Sequence, residues 1–209
     1  MRLLSPSAVA PILVLAVLAL GSCGGDDTQP EKGSAPTDTP SEEQTPEPVN
    51  FGVGEPVTAP GFVMTIKKVD ESPQILVNET DYISGSPNAR FTPRKPDDGG
   101  KFVILRTRIE NKAQESFDLT CAFPIDIKVF NTESQQYDPI ENLYEIKGNP
   151  ECNDQLQPGF KDRMTYAFMV PETAKIVGAL VDVGAVGNIE SDPQIVALDE
   201  SYKGTLSFD

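Results

Sequence analysis

Between residues 51 and 209, apolar side chains recur at every second position more often than at helical spacing. Phe62, Met64 and Ile66 alternate with Val63, Thr65 and Lys67, and the alternation runs on to Val69. In the next segment Val103, Leu105, Thr107 and Ile109 line one face, while Arg106, Arg108 and Glu110 point the other way. Period two marks a strand with one face in a core, because successive side chains leave a strand on opposite sides. The same pattern predicts strands over residues 124–130, where Ile125, Ile127 and Val129 oppose Asp126 and Lys128, and over 162–170, carried by Met164, Tyr166, Phe168 and Val170. Further strands are predicted over residues 175–183, 194–198 and 203–208, and only 139–147 reads as a short helical turn. Turn formers separate these runs: Asp97-Asp98-Gly99-Gly100, Asn111-Lys112, Pro158-Gly159, Pro171-Glu172 and residues 184–188. Seven or eight short strands so spaced predict an all-β domain of two packed sheets, with no internal repeat.

The first 50 residues break this pattern. After Arg2, residues 8–20 form an apolar run that leads into Leu20-Gly21-Ser22-Cys23. A bilayer-spanning helix needs about 20 apolar residues. This run is shorter, contains Pro11 and ends in small residues, so it reads as an export leader rather than a span. The residues Leu20 to Cys23 resemble the bacterial lipoprotein lipobox, in which small residues before the cysteine admit the peptidase. The resemblance implies that residues 1–22 are a lipoprotein signal peptide and that Cys23 is the lipid attachment site. The chain would then be held at the cell membrane, on its extracytoplasmic face. Two or three acyl chains anchor stably, at about 0.8 kcal/mol per buried methylene. Plain secretory cleavage at the same place is the alternative.

Residues 24–50 hold five Pro, four Thr and seven acids, with only Ala35 and Val49 as apolar side chains. Such a segment buries too little to offset the entropy of ordering, so residues 23–50 are expected to form a lipidated, disordered acidic tether. A flexible coil of this length has a span of roughly 30 Å, and Pro and like-charge repulsion lengthen it. Thr28, Thr37, Thr39 and Thr45 stand among the prolines, which leaves open sugar attachment or an unmodified spacer.

Composition narrows the chemistry. The chain has 17 Lys and Arg against 32 Asp and Glu, a formal net charge of -15, with no His and no Trp. Without His there is no Ser-His-Asp or Cys-His pair, no His-ligated zinc and no imidazole acid or base. No segment is basic, so nucleic acid is not an expected partner. The sequence has no Gly-x-Ser-x-Gly elbow, no Ser-x-x-Lys dyad, no phosphate loop and no calcium loop of the Asp-x-Asp-x-Asp-Gly form. The expectation is a non-enzyme with no catalytic residues, no cofactor and no metal, and paired-carboxylate glycoside hydrolysis is the one enzymatic route left open. With Cys23 lipidated, Cys121 and Cys152 remain as a pair in an exported chain and are expected to form a disulfide. A thiolate metal pair or a redox pair fits less well, since there is neither Cys-x-x-Cys spacing nor His.

Several stretches share a further likeness. The run Lys101 to Asn111, the segment Asp126 to Tyr137, Leu156-Gln157-Pro158-Gly159 and Tyr166 to Pro171 resemble the family called domain of unknown function 4352. Gly54-Glu55-Pro56-Val57 and Phe62 to Val69 fit it too. That family is found on bacterial lipoproteins, and mycobacterial secreted immunogenic proteins share its architecture. The resemblance implies an immunoglobulin-like antiparallel β-sandwich over residues 51–209, and it brings no activity or site residues with it. In this reading Asn111 accommodates a left-handed turn, Pro158-Gly159 presets a type II turn and Pro171 ends a strand.

The chain departs from the compact family form by a long insertion at residues 71–100, expected as a loop without regular periodicity. It carries Tyr82, Arg90, Phe91, Arg94 and Lys95, an aromatic and cationic set in an acidic protein and the candidate partner-contact surface. The alternative is a mobile loop whose Tyr82 and Phe91 tuck onto the sandwich edge. Together these features point to a non-catalytic interaction or accessory module whose partner is an envelope protein or wall component. A small-ligand or metal-binding carrier is the second reading.

Overall fold

A computed structural model describes residues 50–80, 82–122, 124–182 and 193–206. The leader, Cys23, the tether before Asn50 and the turn expected at 184–188 lie outside the described residues. Among the described residues, thirteen strands follow in chain order. The first six are β1 (Asn50–Gly52), β2 (Pro56–Ala59), β3 (Phe62–Ser72), β4 (Ile75–Asn78), β5 (Phe91–Arg94) and β6 (Gly100–Asn111). Then come β7 (Phe117–Asp118), β8 (Asp126–Asn131), β9 (Gln136–Tyr137), β10 (Gln155–Leu156), β11 (Lys161–Pro171), β12 (Ile176–Asp182) and β13 (Gln194–Ala197).

One antiparallel sheet has the order β11-β6-β3-β2, and a second has the order β1-β13-β12-β8-β9. The second is antiparallel except for β1 and β13, which run parallel. The pairs β7–β10 and β4–β5 complete the set. The result is the antiparallel β-sandwich that the alternation predicts. Residues opposite one another share a face, so Ile66, Thr107 and Met164 lie in one row and Val69, Leu105 and Tyr166 in the next. These inward rows meet Ile127, Val129, Ala179, Val181 and Val196 of the other sheet in one buried cluster. Burying each such side chain contributes about 1.5–3 kcal/mol. Thr107 is the polar member of its row, and its hydroxyl donates to the Met164 carbonyl at 2.9 Å.

Four local expectations are corrected. The insertion is not irregular throughout: β4 and β5 pair in antiparallel register, and Ile75 and Val77 are buried in the same cluster as Phe102 and Ile104. Phe102 and Ile104 occupy the β6 face opposite the Val103–Ile109 row, so β6 begins as a strand buried on both sides. The helical turn at 139–147 narrows to one 3-10 turn, Leu143–Glu145, because Pro139 bridges Phe168 and Ile146 bridges Val77. Asn149 then stands in for a strand at the β11 edge: its Oδ1 accepts from the Thr165 amide at 2.7 Å and its Nδ2 donates to the Thr165 carbonyl at 2.8 Å.

The strand expected at 203–208 is replaced, over its described residues, by a chain reversal. Asp199 accepts from the Ser201 amide at 3.0 Å and starts the 3-10 turn Glu200–Tyr202, and Gly204, at a φ of 79°, completes the reversal. Asn111 makes no left-handed turn either. It stays in β6, buried, and donates through Nδ2 to the carbonyls of Glu115 at 2.8 Å and Leu156 at 2.7 Å. Pro158-Gly159 turns as expected, with Gly159 at a φ of 81° and the Phe160 amide donating to the Gln157 carbonyl.

Candidate functional site

The five insertion residues do not form one cluster. Asn78 pairs with Phe91 at one end of β4–β5, and Ile75 pairs with Arg94 at the other. Three residues of strand, about 10 Å, therefore separate Phe91 from Arg94 and Lys95. Tyr82 belongs to the Phe91 end, since Asn78 Nδ2 donates to the Tyr82 carbonyl at 2.6 Å. Phe91 is half-buried and carries the Lys147 ammonium 5.4 Å from its ring centroid. Arg90, Arg94 and Lys95 are exposed, and Arg90 turns its guanidinium onto the Pro87 and Ala89 carbonyls at 3.3 Å. One neighbour escaped the sequence reading. Ile83 is 64% exposed beside Tyr82 at 53%. The tip is held, because the Ser84 amide donates to Glu151 and the Ser86 amide returns to the Ile83 carbonyl at 2.8 Å.

Glu151 adjoins Cys152, which is bonded to Cys121 with 5.4 Å between Cα atoms. Asp118 organises this corner. Its Oδ1 accepts from the Thr120 amide at 2.8 Å, the Thr120 hydroxyl at 3.0 Å and the Cys121 amide at 3.0 Å, and its Oδ2 accepts from the Asn153 amide at 2.6 Å. Burial pushes the Asp118 carboxyl up, but the amides of Cys121, Thr120 and Asn153 with the Thr120 hydroxyl outweigh it and hold the group below the usual carboxylate range. Ligand-type atoms of Asp118, Cys121 and Cys152 lie within 4.8 Å of one another. Bonded sulfurs are not thiolates and this carboxylate is already saturated by donors, so the grouping is a structural knot rather than a metal centre.

Between β8 and β11 the sheets leave a cavity of about 270 Å³, walled by Leu119, Ile125, Ile127, Leu143 and Tyr166. The segment after β9 closes one side, where the Ile140 amide donates to the Ala167 carbonyl at 2.8 Å. Exposed carboxylates of Asp126, Asp138 and Glu141 stand at the mouth. Lys128 pairs with Asp138 at 3.1 Å, and the hydrogen bond and charge of Asp138, with the charge of Asp126, raise the ammonium above its ordinary range. Tyr166 is 2% exposed and lines the cavity. Burial pushes the phenol well above its usual value, so it remains an O–H donor. The period-two pattern places Tyr166 inward between Met164 and Phe168 but carries no signal of the space beside it. A lone hydroxyl in an otherwise apolar row is the only hint the sequence contains.

No protein-family model and no curated protein matches the chain. Among solved structures, it is similar to an uncharacterized β-sandwich protein from Clostridium difficile 630, at 11% identity and a TM-score of 0.49, over 76% of this chain and 100% of that one. It is similar to the yjhA protein from Bacillus subtilis, at 16% identity and a TM-score of 0.46, over 71% of this chain and 99% of that one. It is also similar to MPT63, a secreted protein from Mycobacterium tuberculosis, at 13% identity and a TM-score of 0.35, over 73% of this chain and 97% of that one.

Proposed function

We propose that this chain is a cell-envelope lipoprotein, anchored through Cys23, whose sandwich is a non-catalytic interaction module of the domain of unknown function 4352 type. The lipobox-like Leu20 to Cys23 and the acidic tether support its place outside the membrane. One observation carries the interaction reading: Tyr82 and Ile83 stand side by side, largely exposed, on a tip held by Asn78 and Glu151. A held aromatic–aliphatic pair loses little entropy on docking and suits the centre of a contact with an envelope protein or wall component.

Replacing the whole insertion is a poor test, since β5 pairs with β4 and Ile75 and Val77 belong to the core. The informative variant is Tyr82→Ser with Ile83→Ser, compared with the parent by cross-linking in intact cells. The expected result is a cross-linked species lost in the double variant while its melting midpoint stays within a few degrees. A Cys23→Ala chain is expected to leave the membrane fraction. Identical cross-links in parent and double variant would overturn the contact assignment, and a Cys23→Ala chain that stays on the membrane would overturn the anchor.

A further inference from the structure

We infer that the outer face of β3, β6 and β11 binds a linear polymer carrying phosphate groups, seated first between Arg108 and Arg163. This goes beyond the contact role of the insertion and does not depend on it. No segment of the sequence is basic, yet strand register joins cations from three separate segments. Arg108 stands directly opposite Arg163 on β11 and Thr65 on β3. In the row on one side Arg106 faces Lys68 and Thr165, and in the row on the other Lys161 faces Glu110, with Lys112 just beyond β6. Rows two residues apart lie about 7 Å from one another, so the stripe is roughly 14 Å long.

Charge is settled unevenly along the stripe. Lys68 and Arg106 share Asp70, and Lys112 and Lys161 share Glu110, so each outer row keeps one positive charge. In the middle row Arg108 and Arg163 are exposed, and among the described residues neither makes an ion pair. Asp162 turns to the Arg163 amide, at 2.7 Å, and not to its guanidinium. Like charges directly opposite one another are unfavourable in a sheet, and an anion between them relieves the opposition. Geometry then selects its class. A planar carboxylate is matched by one guanidinium fork, whereas a tetrahedral phosphate offers oxygens on several sides to guanidiniums from adjacent strands. Thr65 and Thr165, half-buried in the same rows, add hydroxyls. A flat anionic membrane meets the field of the whole chain, of net charge -15, while a thin polymer touches the stripe alone. The three rows hold no aromatic side chain on which a base could stack, which sets nucleic acid apart.

The test is a calorimetric titration of the full chain with short-chain inorganic polyphosphate at about 0.1 M salt, with polyglutamate and phosphatidylglycerol vesicles as the other arms. Polyphosphate is expected to bind saturably. Arg108→Gln and Arg163→Gln are each expected to weaken it about tenfold, the loss of one charge-assisted contact. Both variants are expected to hold or raise the melting midpoint, because each removes a like-charge opposition. Lys128→Gln with Lys175→Gln takes two charges from elsewhere on the sandwich and is expected to leave the affinity nearly unchanged. Polyglutamate is expected to bind markedly more weakly. Should an arginine variant misfold, Lys68→Gln in the next row reads the same face. Absence of saturable polyphosphate binding, or equal losses in the arginine and lysine variants, would overturn the site. Polyglutamate binding as tightly as polyphosphate would overturn the phosphate class, and vesicle binding that falls with the arginine variants would overturn the polymer as occupant.

Discussion

Asp118 is the residue on which the disulfide corner turns, because one carboxylate satisfies four donors from Thr120, Cys121 and Asn153. Asp118→Asn replaces an acceptor with an amide that must point its own donors at amide hydrogens, and is expected to destabilise by about 1–3 kcal/mol. Its pH dependence has a definite sign. The folded carboxyl titrates below its unfolded value of about 3.9, so its contribution is complete above that value and is lost as the pH falls through the lower folded one. Urea unfolding of parent and variant between about pH 6 and about pH 2.5 should therefore show a gap that closes in acid. At this scale the disulfide was legible by counting: with Cys23 assigned to the lipid anchor, Cys121 and Cys152 are the two cysteines left, although 31 residues separate them. Asp118 binds donors two and three residues on, a local pattern the reading passed over, whereas its Asn153 donor and the Leu156 acceptor of Asn111 are brought close only by the fold.

Among the elements, β12 shows how a strand can depend on an atom it lacks. Gly178 sits beside the register shift of the β12–β8 pair, and a Cβ there would fall 2.1 Å from Cζ of the Phe130 ring. Gly178→Ala must displace that ring and is expected to cost about 1–3 kcal/mol. Denaturant midpoints check this, and adding Phe130→Leu in the Gly178→Ala background should recover part of the loss. The long strands were legible because each holds period two over its inward run, Phe62 to Ile66 in β3, Val103 to Ile109 in β6 and Met164 to Val170 in β11. A register shift between Ile66 and Lys68 then brings Val69 to the inward face, against the alternation expected there. The shorter elements escaped for separate reasons. Ile75-Leu76-Val77 is too short a run to stand out, and Pro93 opposite Leu76 disguises β5. Residues 203–206 look strand-like until Asp199 and Gly204 are seen to turn the chain.

For the molecule as a whole, the Cys121–Cys152 bond encloses β8, β9 and the crossover to β11, which supply most of the cavity wall. Closing a loop of this length limits the unfolded chain and is expected to stabilise by about 3–4 kcal/mol on the chain-entropy account. Unfolding a Cys121→Ser, Cys152→Ser chain against the parent measures it, and reactive thiols at Cys121 and Cys152 in the native protein would contradict the bond. The sandwich class was legible at this scale, since strand count and alternation survive errors in single elements. The pairing of β1 with β13 was not, because neither strand carries a mark of its partner. That pairing imposes a timetable. Asn50 meets Ile195, so β1 finds its partner only after β13 has been made. A contact of such sequence separation is costly to close early, so β1 is expected to join its sheet late in folding.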